Sequence, residues 1–139
     1  MLKSLVVAWL GTGLAFAVLD LIWLTFVAQS FYRSQLGDLR AEVVNIPAAI
    51  AFYLVFVTGV VFFAVLPAAK EDSLWIAAGY GASLGFLCYA TYDLTNLATL
   101  RNWPVALTFV DLAWGTVLTA AASVGGLLAW RLAGGAGPS

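Results

Sequence analysis

The chain has 139 residues, 63% of them hydrophobic and only 9% charged, with a net charge of −1 and no basic run. A soluble domain carries about 25% charged residues, so this composition excludes a soluble globular protein, and the balance of charge argues against any nucleic-acid partner. Histidine is absent and Cys88 is the single cysteine. That removes the usual haem, zinc, copper and di-iron ligand sets, the Ser-His-Asp type of triad, and any internal disulfide.

The first apolar segment runs over about 4–28. Lys3 ahead of Ala15-Phe16-Ala17 has the look of a signal peptide with an A-x-A cleavage site. The apolar stretch continues to Val27, about twice the length of a normal signal core, so it is read as an uncleaved first transmembrane helix. A second segment follows over 44–66, a third over 74–97 and a fourth over 105–130. Each has more than 20 residues and at 1.5 Å per residue reaches about 30 Å, the thickness of the hydrocarbon core. The connections Gln29–Val43, Pro67–Ser73 and Ala98–Pro104 hold most of the charges, and the tail 134–139 reads as flexible. The expected fold is all-α: a polytopic membrane protein whose four helices form one up-down-up-down bundle over 1–133.

Small residues recur at helical spacing: Gly13 and Ala17, Gly81 and Gly85, then Gly115, Ala122 and Gly126. In lipid such faces let helices approach closely, and they offer a surface for a homo-oligomer or a membrane partner protein. Trp75 and Trp130 mark one membrane boundary; Phe31, Tyr32 and Trp103 mark the other. Lys3, Lys70 and Arg131 fall on the side holding both termini, here side A, and Arg33, Arg40 and Arg101 on the opposite side B. This positive-inside count is tied; the short lysine-bearing N-terminal tail tips the expectation toward cytoplasmic termini.

Three aspartates interrupt the apolar segments. Asp20 and Asp111 share the pattern Asp-Leu-x-Trp, with Trp23 and Trp114 as its tryptophans, and Asp93 lies in Tyr92-Asp93-Leu94-Thr95-Asn96. A carboxylate at membrane depth costs at least ~2.5–3.5 kcal/mol, so each is a functional candidate by default. Tracing helix direction places all three in the B half, with Asp20 and Asp111 at nearly equal depth, ~10–12 Å from the helix ends. Asn45, at the B-side start of the second helix, and Asn96 could join them. Spacing puts Gly81, Gly85, Tyr89 and Asp93 on one stripe, Gly13, Ala17, Asp20 and Leu24 on another, and Asp111, Gly115 and Ala122 on a third. The two Asp-Leu-x-Trp motifs sit on helices of opposite direction, which reads as convergence on one site rather than an inverted repeat.

Three carboxylates cannot share a dry site fully ionised. They would hold a proton, bind a divalent cation through Asp20, Asp93 and Asp111, or pair with an arginine such as Arg101. Oxygen-only ligands suit Mg²⁺, Ca²⁺ or Mn²⁺ rather than zinc or copper. A purely structural reading stands beside these, with each acid a hydrogen-bonding tie between helices and Trp23, Trp114, Tyr89 and Tyr92 as walls or anchors.

The stretch Tyr92-Asp93-Leu94-Thr95-Asn96-Leu97-Ala98-Thr99-Leu100, together with Leu19–Leu24, Phe52-Tyr53 and Val110–Gly115, resembles a family of small four-helix bacterial predicted membrane proteins classed as a domain of unknown function. The resemblance spans about residues 1–130. It implies a multi-pass protein of the bacterial inner membrane, in contact with membrane lipids. It implies no activity beyond the lipid link suggested by fatty-acid-modifying enzymes encoded beside some relatives. Three functions stay open: a buried site for a cation or a lipid-like substrate, a proton- or cation-coupled transporter, and an accessory subunit of a membrane complex.

Overall fold

In lipid a backbone must satisfy its own N–H and C=O groups, so apolar runs of spanning length fold as helices. The computed structural model describes residues 1–135, leaving the last four positions of the expected 134–139 tail outside the described residues. Helix α1 spans Leu2–Val27 and is followed by the short α2, Gln29–Leu36. Then come α3 (Ile46–Lys70), α4 (Leu74–Thr99) and α5 (Val105–Leu132). The four long helices are all apolar enough to cross a bilayer, and no strand occurs among the described residues.

Three boundaries differ from the sequence reading, each for a local reason. The connection after the first span is partly helical, because Gln29–Leu36 folds as α2 before a 3₁₀ turn at Gly37–Leu39. The second span does not stop at Leu66. It widens into a π-helical turn over Val61–Val65 and continues past Pro67 to Lys70. Proline cannot donate to the carbonyl four residues back and its ring crowds that residue, so a wider turn just upstream lets the helix pass. Gly134, expected in a flexible tail, instead ends α5: its φ is +75°, and the Gly134 and Gly135 amides donate to the Arg131 and Trp130 carbonyls at 3.0 Å. Only glycine takes that left-handed turn freely.

The helices pair in opposite directions. Gly11 lies against Ala129, Thr12 against Gly126 and Asp20 against Trp114, so α1 and α5 are antiparallel. Gly81 meets Ser123 and Gly85 meets Thr119 and Gly115, so α4 and α5 are too. Trp9 donates to Thr58 at 3.0 Å, and Phe16 packs edge-on against Tyr53, which sets α3 antiparallel to α1. Helix α5 is the most enclosed and packs against both α1 and α4. One core cluster joins Ala8, Val60, Val65, Ala77 and Leu127 on side A, and a second holds Phe16, Leu118 and Ala122 at mid-depth.

Each acid-bearing helix buries a stripe that recurs at intervals of four residues. On α4 it is Ala77, Gly81, Gly85 and Asp93, and on α5 it includes Asp111, Gly115, Thr119 and Ser123. On α1 the buried set is Ser4, Ala8, Thr12, Phe16 and Asp20 rather than the Gly13-Ala17 face; Gly13 is only half-buried and Leu24 is exposed. Hydroxyls on these stripes are satisfied within their own helices, as Thr12 to Ala8, Thr119 to Gly115 and Ser123 to Thr119 at 2.7–2.8 Å. Gly81, Gly85, Gly115, Ala122 and Gly126 are all used up in packing within the chain.

On side A, Arg131 Nε donates to Asp72 Oδ1 at 2.8 Å, tying the end of α5 to the turn before α4; it is the sole ion pair among the described residues. On the B half the helices are less evenly closed. The side-A part of α3, Val61–Lys70, packs on α4, whereas Ile46–Val60 stands off from it. That divergence positions the site.

Candidate functional site

Two buried aspartates are joined by one chain of side chains. Asp20, near the end of α1, accepts from the Tyr53 hydroxyl of α3 at 2.7 Å through Oδ2 and from the Trp114 indole of α5 at 3.3 Å through Oδ1. Trp114 stacks on Trp23, with ring centroids 4.3 Å apart and planes 8° from parallel. Trp23 Nε1 donates to the Tyr32 hydroxyl at 3.3 Å, and Tyr32 in turn donates to Asp111 Oδ1. The two Asp-Leu-x-Trp motifs are thus one structure: each tryptophan faces the other, and each serves the other helix's carboxylate, directly or through Tyr32. Trp23 opens the π-helical turn Trp23–Val27. Such widened turns re-aim side chains and recur at functional positions.

Tyr32 sits on α2, beyond the end of the first span. Burial and its hydrogen bond to Asp111 push its hydroxyl well above the usual tyrosine range. It therefore stays protonated and remains a donor to Asp111 across the physiological pH range.

Asp93 has no such company. It is 0% exposed, and neither carboxylate oxygen has a hydrogen-bond partner. Its stripe continues from Gly85 and Tyr89, which meet Gly115, so the antiparallel register carries it to the level of Asp111. The two lie close enough for their charges to interact, as do Asp111 and Asp20. Tyr89 lies against the Gly115 position of α5 and lines the cavity with Asp111.

A cavity of about 340 Å³ opens where α3 leaves α4, lined by Phe52, Phe56, Cys88, Tyr89, Tyr92 and Asp111. Phe52, Cys88 and Tyr92 are exposed at its mouth, on the outer surface of the spanning helices. Its size falls in the range of small-ligand sites, and its chemistry is a single carboxylate in apolar and aromatic walls. A larger groove of about 840 Å³ lies at the other end, lined mainly by apolar residues such as Leu5, Phe62, Phe63 and Leu66, with Ser4 and Lys70 among its few polar side chains. No carboxylate lines it.

The other sequence candidates are placed as follows. Asn45 does not join the acids: it is exposed, and its Oδ1 accepts from the Ala48 amide at 3.1 Å as the N-cap of α3. Asn96 is half-buried, three residues beyond Asp93 toward the B-side end of α4. Tyr92 lines the cavity and packs edge-on against Trp103 at 5.7 Å. Arg101 is exposed in the turn before α5 and pairs with no aspartate; Arg33 and Arg40 form no ion pair either. Among the described residues, no group of three or more acidic, cysteine or histidine side chains is placed to hold a metal ion. Asp20 and Asp111 are joined by the tyrosine–tryptophan chain, and Asp93 lies apart from it on α4.

Sequence reasoning missed two residues, the donors Tyr32 and Tyr53. Tyr32 reads as an interfacial belt residue. Tyr53 stands out in the sequence only as half of Phe52-Tyr53, although a tyrosine in the interior of a spanning helix generally seeks a partner for its hydroxyl.

Four apolar spanning helices with carboxylates turned inward define a multi-pass membrane protein. The family model described as a predicted membrane protein (DUF2177) matches residues 5–128, and the chain belongs to that family. No curated protein and no solved structure matches it.

Proposed function

We propose that this protein is a membrane-embedded binding protein that admits a lipid-like molecule sideways from the bilayer and holds its polar head at Asp111. The observation that carries this reading is the cavity between α3 and α4: its mouth is on the lipid-facing surface, and its one ionisable acid is a buried carboxylate tied into the tyrosine–tryptophan network. A lipid's apolar body suits the Phe52, Phe56 and Tyr92 walls, and its head meets a preorganised acceptor.

The test is photo-crosslinking in proteoliposomes with a phospholipid that carries a diazirine on one acyl chain. Labelling concentrates at Phe52, Phe56, Cys88 or Tyr92, and Cys88→Trp, which fills the cavity from α4, abolishes it without lowering thermal stability. Even labelling of all lipid-facing positions, including the exposed Leu14, Leu21 and Val117, would overturn the reading.

The unpartnered Asp93 favours a second reading, proton- or cation-coupled transport, because intramembrane acids without a fixed partner mark such pathways. It requires ion flux in proteoliposomes that disappears in Asp20→Asn, Asp93→Asn or Asp111→Asn; flux equal to empty liposomes rules it out. Placement in a bacterial inner membrane with both termini cytoplasmic belongs to the same proposal. Activity from a C-terminal reporter that works only in the periplasm would contradict it.

A further inference from the structure

Two independent features of the B-half site bear on the charge of what it takes. The first is a surplus of acceptors. Asp20, Asp93 and Asp111 are buried within one electrostatic neighbourhood, yet every donor they receive is neutral: the Tyr53 and Tyr32 hydroxyls and the Trp114 indole. No lysine or arginine pairs with them, and the single ion pair among the described residues is at the opposite end of the molecule. Asp93 is fully buried with both oxygens unpartnered, the arrangement that protein interiors avoid most strongly. The second feature is the wall. Four of the six residues lining the cavity are aromatic, Phe52, Phe56, Tyr89 and Tyr92, and the fifth and sixth are Cys88 and Asp111. Aromatic faces around a carboxylate attract cations through the ring quadrupole, the pattern by which proteins hold ammonium groups.

Building on the lipid-binding reading, we infer that the head the site accepts is a primary ammonium on an apolar body. A primary ammonium brings three N–H donors and no acceptor, which matches the oxygens of Asp111, the one carboxylate lining the cavity, to which only the Tyr32 hydroxyl donates. A quaternary ammonium satisfies the aromatic walls but leaves those oxygens unpartnered. A neutral hydroxyl supplies one donor and no charge. The same chemistry is available from an aminophospholipid headgroup or from a free alkylamine.

The experiment is thermal unfolding of the full chain in a maltoside detergent, titrated with octylamine, octyltrimethylammonium or octanol at neutral pH. Charge-assisted hydrogen bonds in a dry site favour octylamine over octanol by roughly tenfold to hundredfold in apparent affinity, with the quaternary amine between them. Asp111→Asn reduces that preference to less than about threefold. Equal stabilisation of the wild-type protein by octylamine and octanol overturns the ammonium inference while leaving lipid binding intact, and this comparison needs no variant. No shift with any ligand, together with even photo-labelling, overturns lipid binding itself. The two sources separate in a last arm: phosphatidylethanolamine vesicles compete for cavity labelling better than phosphatidylcholine vesicles if a lipid headgroup is the natural occupant. If only octylamine competes, the occupant is a free amine.

Discussion

Replacing Gly115 by alanine is expected to destabilise the protein by about 1–3 kcal/mol or more, the range of overpacked cores. A Cβ at this position would stand 2.2 Å from Tyr89 Cγ and 2.3 and 2.6 Å from the two Cδ atoms. Those atoms are near the base of the side chain, so the ring cannot step aside by bending its tip; it must leave its rotamer or push α4 from α5. Gly85→Ala is expected to be at least as damaging, because its Cβ would meet the Gly115 carbonyl oxygen at 2.3 Å, and backbone cannot rotate away. Between these helices, close approach of small residues replaces the hydrophobic drive that lipid does not supply. Gly79→Ala is the control: nothing lies within 4 Å of its Cβ, and the added helix propensity makes it neutral or mildly stabilising. Thermal unfolding in detergent of the three variants reads the order directly. A Gly115→Ala protein as stable as the Gly79→Ala protein would mean that α4 and α5 do not pack at this register.

Asp93→Ala should do the reverse for stability. An unsatisfied buried polar group costs about 1–3 kcal/mol, and Asp93 presents two orphaned oxygens. Truncation leaves a void of a few tens of Å³, which costs roughly 0.5–1 kcal/mol at about 24 cal/mol per Å³. The first effect exceeds the second, and alanine also favours the helix. A net gain of about 1 kcal/mol or more follows. A residue kept where it destabilises the protein is the expected signature of function at a buried charge. If Asp93→Ala instead melts lower than wild type, Asp93 has a structural partner and the transport reading it favours loses its support.

The spanning helices were legible because long apolar runs in a charge-poor chain have one solution in lipid. The exact path of the second was not. Pro67 reads as a stop, and only the widened turn upstream shows how the helix passes it. The three aspartates were legible as inward-facing, since Asp93 and Asp111 share stripes with glycines that sequence spacing already aligned. For Asp20 the spacing misled: steps of three and four are both allowed on a helix, and the Gly13-Ala17 face looked better than the Phe16-Thr12-Ala8 face that is buried. The hydrogen-bond donors were the least visible part. Tyr32 and Tyr53 come from a short helix and a neighbouring span, and nothing in their local sequence states which carboxylate they meet. Asn45 looked like a site residue by type, but its position ahead of Ile46-Pro47 marks a helix cap.

The buried stripes on α1, α4 and α5 repeat every four residues, through Ser4, Ala8, Thr12, Phe16 and Asp20 on the first of them. Four exceeds the 3.6 residues of a helical turn, so such a stripe winds around its helix in the right-handed sense. Matching along such a stripe favours right-handed crossings, for which about −40° is typical. On α3 the matching stripe, Val57, Val61, Val65 and Ala69, is buried only toward side A, and the side entrance opens beside the half of α3 that lacks one.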